Sequence, residues 1–236
     1  MRDVRANLFA PLGLGDCASP WVKICGVTRL EDARLALELG ADLLGINLWP
    51  RSRRYLPPPA ALKLLSALPR GARILAVVVL DETFDPREVA GLPVAGFQVH
   101  GARGEADLPD LDKPLLVAVS PSEVDLFPGR PVIVDASWGS GRRADWEALR
   151  GLGCPYCLSG GLDPSNVADA IRFLAPAGVD VCSGVELAPG IKDAARLHAF
   201  MAAVAQGREL LKTGRQADET PDRRRIRPER RGGEEQ

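Results

Sequence analysis

The sequence predicts an α/β protein built as a single (β/α)8 TIM barrel. Two observations carry this. Apolar segments of strand length alternate eight times with helical segments over about 190 residues. Polar and glycine residues then gather where those strands end, the end at which barrels place their chemistry. A doubly wound sheet of six or seven strands is the architectural alternative; the strand count favours the barrel.

The first unit sets the pattern. Val22-Lys23-Ile24-Cys25-Gly26-Val27-Thr28 reads as a short buried strand ending in a thiol and a glycine. Thr28, with Glu31 three residues on, reads as a capping box for a helix that Gly40 ends. Strand two is Leu43–Leu48, followed by the basic loop Arg51-Ser52-Arg53-Arg54 and a helix from Pro57–Pro59 through Leu68. Ile74–Leu80, Gly96–His100, Leu115–Val119 and Val132–Asp135 are the next strands, with short helices at Asp85-Pro86, at Glu105–Leu108 and near Glu123. A helix from Asp145 through Leu152 leads to the strand Tyr156–Gly161, a helix Asn166–Leu174, the strand Gly178–Ser183 and a last helix Asp193–Val204.

The barrel therefore spans residues 21–210. Residues 1–20 are broken by Pro11, Gly13, Gly15 and Asp16, and read as a loose extension with no signal-peptide core. Residues 211–236 read as a disordered charged tail, too polar to offset its ordering entropy. Net charge is −1 and aromatic content 5%, which argues against a nucleic-acid or anionic-membrane partner. No apolar run reaches the ~18–20 residues of a membrane span. Five scattered cysteines and two distant histidines describe neither a disulfide framework nor a zinc site. A cytoplasmic protein, monomer or homodimer, is expected.

Three constellations carry chemistry. Ser159-Gly160-Gly161 and Ser183-Gly184-Val185 each follow a strand and precede a helical segment, so the backbones of Gly160, Gly161, Ser183 and Gly184 suit a phosphate; two tight turns without ligand are the plain alternative. Asp135 ends an apolar strand, either as a cap or as a working acid. In a barrel it shares the mouth with Cys25, and the two suit a general acid and a general base around one small molecule. The glycine-rich loop Gly139-Ser140-Gly141 follows and suits a closing segment. Arg53 and Arg54 offer forks for a planar carboxylate, with a solvated loop charge the alternative for each and the weaker one for Arg54. Gln98, His100 and Asp180 are polar residues on pocket-lining strands, Asp180 being a pocket group or a strand-start residue. Cys154-Pro155-Tyr156-Cys157 has dithiol spacing, but it leads into a strand rather than a helix.

Lys23-Ile24-Cys25-Gly26, Gln98-Val99-His100-Gly101, Gly139-Ser140-Gly141 with Asp145-Trp146, Leu158-Ser159-Gly160-Gly161-Leu162 with Pro164 and Asn166, and Asp180-Val181-Cys182-Ser183-Gly184-Val185-Glu186 with Pro189-Gly190 and Lys192-Asp193 together resemble the phosphoribosylanthranilate isomerase family. The resemblance covers residues 22 to about 205. It implies a metal- and cofactor-free barrel of tryptophan biosynthesis acting on a small phosphosugar by an Amadori rearrangement. It implies Cys25 as base, Asp135 as acid, Arg54 at the anthranilate carboxylate, and phosphate on Gly160, Gly161, Ser183 and Gly184. Asn47 and Leu48, Ala144 and Cys182 depart from the family pattern, the last standing where a serine is common. The alternatives are a non-catalytic phosphate-binding barrel with a regulatory role, a related phosphosugar isomerase using paired aspartates, which Cys25 argues against, and a redox protein using Cys154 and Cys157.

Overall fold

The computed structural model describes residues 8–14, 19–135, 146–150, 152 and 155–219. Eight strands, β1 (Trp21–Ile24), β2 (Leu43–Asn47), β3 (Ile74–Val79), β4 (Gly96–His100), β5 (Leu115–Val119), β6 (Val132–Asp135), β7 (Tyr156–Ser159) and β8 (Gly178–Val181), close in chain order into one parallel barrel. The seam is the β1–β8 pairing, in which Lys23 lies opposite Asp180 and Ile24 opposite Val181. These strands are apolar because both faces are covered: the outer by helices, 3-10 turns and their loops, the inner by the packed barrel interior.

The helices are α1 (Leu30–Glu38), α2 (Pro58–Ser66), α3 (Trp146–Arg150), α4 (Val167–Leu174) and α5 (Ala194–Glu219). From β3 to β6 the connections carry only 3-10 turns, at Pro86–Val89, Glu105–Asp107 and Pro121–Leu126. The expected capping box at Thr28 does not form. Arg29 is the N-cap of α1, and the Thr28 hydroxyl donates instead to the Gly190 carbonyl at 2.6 Å. Tertiary contact here takes a group that local sequence assigns to the helix. A capping box does occur at Ser120 and Glu123, at the head of the third 3-10 turn.

Two apolar clusters hold the barrel. The larger lies between strands and helices and includes Val22, Ile24, Ile46, Val78, Val99 and Ile171. The smaller fills the lower barrel interior with Trp21, Leu43, Leu75, Leu116, Ile133 and Cys157. Phe9, Leu12 and Leu14 enter it from the N-terminal segment and are 1%, 2% and 6% exposed, so this part of the chain is not a loose extension. Phe9 meets Trp21 edge-on at 5.2 Å. Two glycines leave room for the plug: a Cβ on Gly178 would lie 2.2 Å from the Trp21 ring, and one on Gly96 would lie 2.9 Å from Leu12. The other end also differs from expectation. Helix α5 runs through Gly207 and beyond 210 to Glu219, with Leu197, Phe200, Val204 and Leu211 buried along one face. Gly207 does not stop it, because there the helix approaches Ala168 of α4 so closely that a Cβ would lie 3.0 Å from that backbone.

Candidate active site

Alternation along β1 and β8 builds the site from below. On β1 the inward positions are Trp21, Lys23 and, one step past the strand, Cys25; on β8 they are Gly178, Asp180 and Cys182. Lys23 and Asp180 are both buried and meet at 2.7 Å, and the Ser159 hydroxyl donates to the second Asp180 oxygen at 2.9 Å. Both carboxylate oxygens of Asp180 are thus engaged inside the barrel. Asp180 is not a strand-start residue; it is the counter-ion of a buried ammonium. Burial works against the Lys23 charge, but Asp180 and the Cys25 sulfur outweigh it and raise the lysine pKa. A pair this dry persists only when both partners stay.

Above it sits Cys25, half-buried at the mouth. The neighbouring Cys182 thiol favours its thiolate, and the Lys23 charge adds to this; together they outweigh burial and lower the Cys25 pKa to about 6. Cys182 moves the opposite way, its thiol held protonated by the neighbouring Cys25 and by burial; it donates to Glu186 Oε1 at 3.7 Å. Gly45 on β2 makes the space: a Cβ there would lie 3.0 Å from both the Cys25 sulfur and the Lys23 nitrogen. A half-buried thiol that is mostly thiolate at neutral pH is a competent base or nucleophile.

Asp135 closes β6 at the same end of the barrel, in register with Ser159, and its charge acts on His100 of β4. Burial nevertheless pushes His100 down to about 4, so the imidazole is neutral. Gln98 meets His100 at 2.7 Å through Nε2, while its buried Oε1 has no partner among the described residues. Gly139, Ser140, Gly141, Ala144 and Asp145 lie outside the described residues. So does Cys154, while Cys157 is buried inside β7 with its thiol pushed up by burial, which suits packing and not redox work.

Arg54 arrives over the mouth from the β2–α2 loop. Its Nε and Nη2 donate to Glu186 at 2.8 and 2.6 Å, so the fork expected to meet a ligand is held by the protein along that edge. Arg53 is exposed. Glu186 belongs to a hairpin that sequence pattern missed, β9 (Glu186–Ala188) with β10 (Ile191–Lys192). Lys192 of that hairpin reaches back to Glu186 at 3.0 Å and to the Cys25 carbonyl at 2.5 Å. The loop that carries Cys25 is therefore braced by β8–α5. At the glycine turns, Gly160 and Gly161 have φ of +93° and +67°, which side chains disfavour. Gly184 abuts the Leu162 carbonyl, where a Cβ would lie only 2.0 Å away. The segment Ser183–Val185 is a single 3-10 turn leading into the hairpin rather than directly into a helix.

A closed parallel barrel with a thiol, a carboxylate and paired glycine turns at its strand ends has the make-up of a barrel enzyme. Comparison with known proteins gives the family. The model of N-(5′-phosphoribosyl)anthranilate isomerase matches residues 22–203, and the chain belongs to that family. The enzyme of that name from Myxococcus xanthus is 38% identical over 200 residues, covering 77% of this chain and 94% of its own. The crystal structure of the phosphoribosylanthranilate isomerase from Thermus thermophilus is 34% identical with a TM-score of 0.68, covering 78% of this chain and 98% of its own. A phosphoribosylanthranilate isomerase in complex with reduced 1-(o-carboxyphenylamino)-1-deoxyribulose 5-phosphate is 30% identical with a TM-score of 0.68, covering 79% and 98%.

Proposed function

We propose that Cys25 and Asp135 are the base and the acid of an Amadori rearrangement that turns N-(5-phosphoribosyl)anthranilate into 1-(2-carboxyphenylamino)-1-deoxyribulose 5-phosphate, an aldose–ketose isomerisation of tryptophan biosynthesis. One observation carries the reading: Cys25 stands at the carboxyl end of β1 with its thiol held near pKa 6 by Cys182 and Lys23. Asp135 gives a proton to the ring oxygen as the nitrogen lone pair opens the ring to a Schiff base. Cys25 then takes the proton from C2′. The enolamine so formed gains a proton at C1′ and loses one from its C2′ hydroxyl, which leaves an isomer with no atoms gained or lost.

The remaining groups bind. The backbones of Gly160, Gly161, Ser183 and Gly184 receive the phosphate. Arg54, stiffened by Glu186 along one edge, uses its other guanidinium donors for the anthranilate carboxylate. Gln98 and His100 line the wall, and Asp180 acts from beneath through Lys23. The substrate is a small anionic phosphosugar that a bilayer retains, so we place the reaction in the cytoplasm. Among the described residues no helix is long and apolar enough to cross a membrane.

The test is Asp135→Asn. The amide keeps the shape and loses the proton, so turnover falls by ~10²–10⁴-fold, the usual worth of a general acid, while the reduced product analogue still binds in calorimetry. Binding lost together with turnover makes Asp135 a structural residue and removes it from the chemistry.

A further inference from the structure

The mouth of the barrel holds two thiols where the reaction needs one. Ile24 lies opposite Val181, and the Cys25 amide donates to the Val181 carbonyl at 2.8 Å. Cys25 and Cys182 are the next residues of the two chains, each one position past the end of its strand. Parallel neighbours stand ~4.8 Å apart across a sheet, inside the ~4.4–6.8 Å of Cα separation that a disulfide spans. Direction agrees with distance. Lys23 and Asp180 are a registered pair whose side chains meet inside the barrel, and Cys25 and Cys182 are each two residues further on, so their side chains share that inner face. The two thiols are near enough that each bears on the other's ionisation. Neither is sealed off, since both residues are half-buried at the open end.

The surroundings suit oxidation. The Cys182 sulfur lies 3.7 Å from Glu186 and 4.0 Å from the Lys192 ammonium. Gly26, with φ of +70°, makes room for Arg54 and Cys182; a Cβ there would lie 2.5 Å from Arg54 Cδ and 2.9 Å from the Cys182 sulfur. The remaining described cysteine, Cys157, is buried in the apolar lower interior and belongs to a different layer.

The geometry points to Cys25 and Cys182 as a reversible peroxide-oxidised thiol pair, in which Cys25 is attacked first and Cys182 resolves it to a disulfide. In the first step the Cys25 thiolate displaces hydroxide from hydrogen peroxide, and with one proton this gives a sulfenic acid and water. In the second step the Cys182 sulfur attacks the sulfenic sulfur, the S–O bond breaks, and the thiol proton leaves with that oxygen as a second water. Two thiols lose two electrons and one peroxide gains them. A dithiol reductant reverses the change. The bridge removes the thiolate from the site and also shields Cys25 from sulfinic acid, which thiols do not reverse. The Cys182 resolving role is separable from the base assignment, although its effect on activity rests on that assignment.

The experiment uses the full chain treated with a few equivalents of hydrogen peroxide, followed by peptide mass mapping and assay before and after dithiothreitol. Wild type is expected to lose ~2 Da through a linked pair of peptides holding Cys25 and Cys182, to lose most of its turnover, and to recover it on reduction. Cys182→Ser, each sample compared with its own untreated activity, is expected to gain ~32 Da on Cys25 and to stay inactive after reduction. A linked Cys25–Cys182 peptide with turnover untouched upholds the pair and overturns Cys25 as the base. No linked peptide in wild type, or sulfinic acid on Cys25 to the same extent in both proteins, overturns the pair.

Discussion

The two ends of the barrel interior are built from the same strands and serve opposite needs. At the lower end Trp21, Leu75, Leu116 and Ile133 meet Phe9, Leu12 and Leu14 in a dry apolar plug. Two residues higher along β1 and β8 the interior holds Lys23 and Asp180, and two higher again it holds Cys25 and Cys182. The lower layer gains from removing surface from water. The middle layer bears the cost of burying charge, and that charge conditions the thiol above it. Within about four residues of one strand, the barrel passes from stability to chemistry. Changes at the top are therefore expected to alter rate with little loss of stability, and changes at the bottom the reverse.

The largest expected effect is at the top. Cys25→Ser removes the thiolate and keeps the volume, so turnover falls by ~10²–10⁴-fold with the melting temperature unchanged. Near-wild-type turnover in that variant would dissolve the contrast. Next comes Phe9→Ala at the bottom, which opens a cavity under Trp21 and costs ~3–5 kcal/mol of stability, while kcat per folded molecule stays level. Trimming to residues 20–210 removes Phe9, Leu12 and Leu14 together and cuts α5 just before the buried Leu211. That protein is expected to melt many degrees lower, and equal melting of trimmed and full chains would make the plug dispensable.

Smaller effects sharpen the upper half. Arg54→Lys cannot keep the two-pronged contact with Glu186, and KM rises about ten-fold, the lower end for a lost charge-assisted hydrogen bond. A fall in kcat at constant KM would move Arg54 from binding to chemistry. The finest test is the pH profile of kcat/KM. The active form of Cys25 is the thiolate, so the rate rises with pH through about 6 and levels above it. Cys182→Ala removes the neighbouring thiol that favours the thiolate, which stabilises the thiol form. The limb then moves up toward the ordinary thiol value of ~8.5, and a limb that stays in place would show that Lys23 alone sets it.

Local pattern made the strands legible. Gly96–His100, Leu115–Val119 and Val132–Asp135 match the observed elements residue for residue, the last two because they are compact apolar runs that a covered sheet buries and the first because Phe97 and Val99 alternate with polar residues. Cys25 and Asp135 were legible as strand-end groups for the same reason. The hairpin at Glu186–Lys192 was not, since its two strands have three and two residues and no turn pair of the usual hairpin kind. Its roles, Glu186 on Arg54 and Lys192 on the Cys25 carbonyl, join residues more than 130 positions apart.

By itself, then, the sequence determined the barrel, its strand order and the identity of the thiol and carboxylate at its mouth, because periodicity and strand-end chemistry are local properties. Tertiary structure alone decided how those groups behave. The lowered pKa of Cys25 requires Cys182 and Lys23 at its side; Asp180 neutralises Lys23 only because β1 and β8 meet at the closing seam. Phe9 becomes core because the barrel has an open lower end to fill. Burial and Coulomb energies depend on separation in space, and along this chain Lys23 and Asp180 stand 157 residues apart.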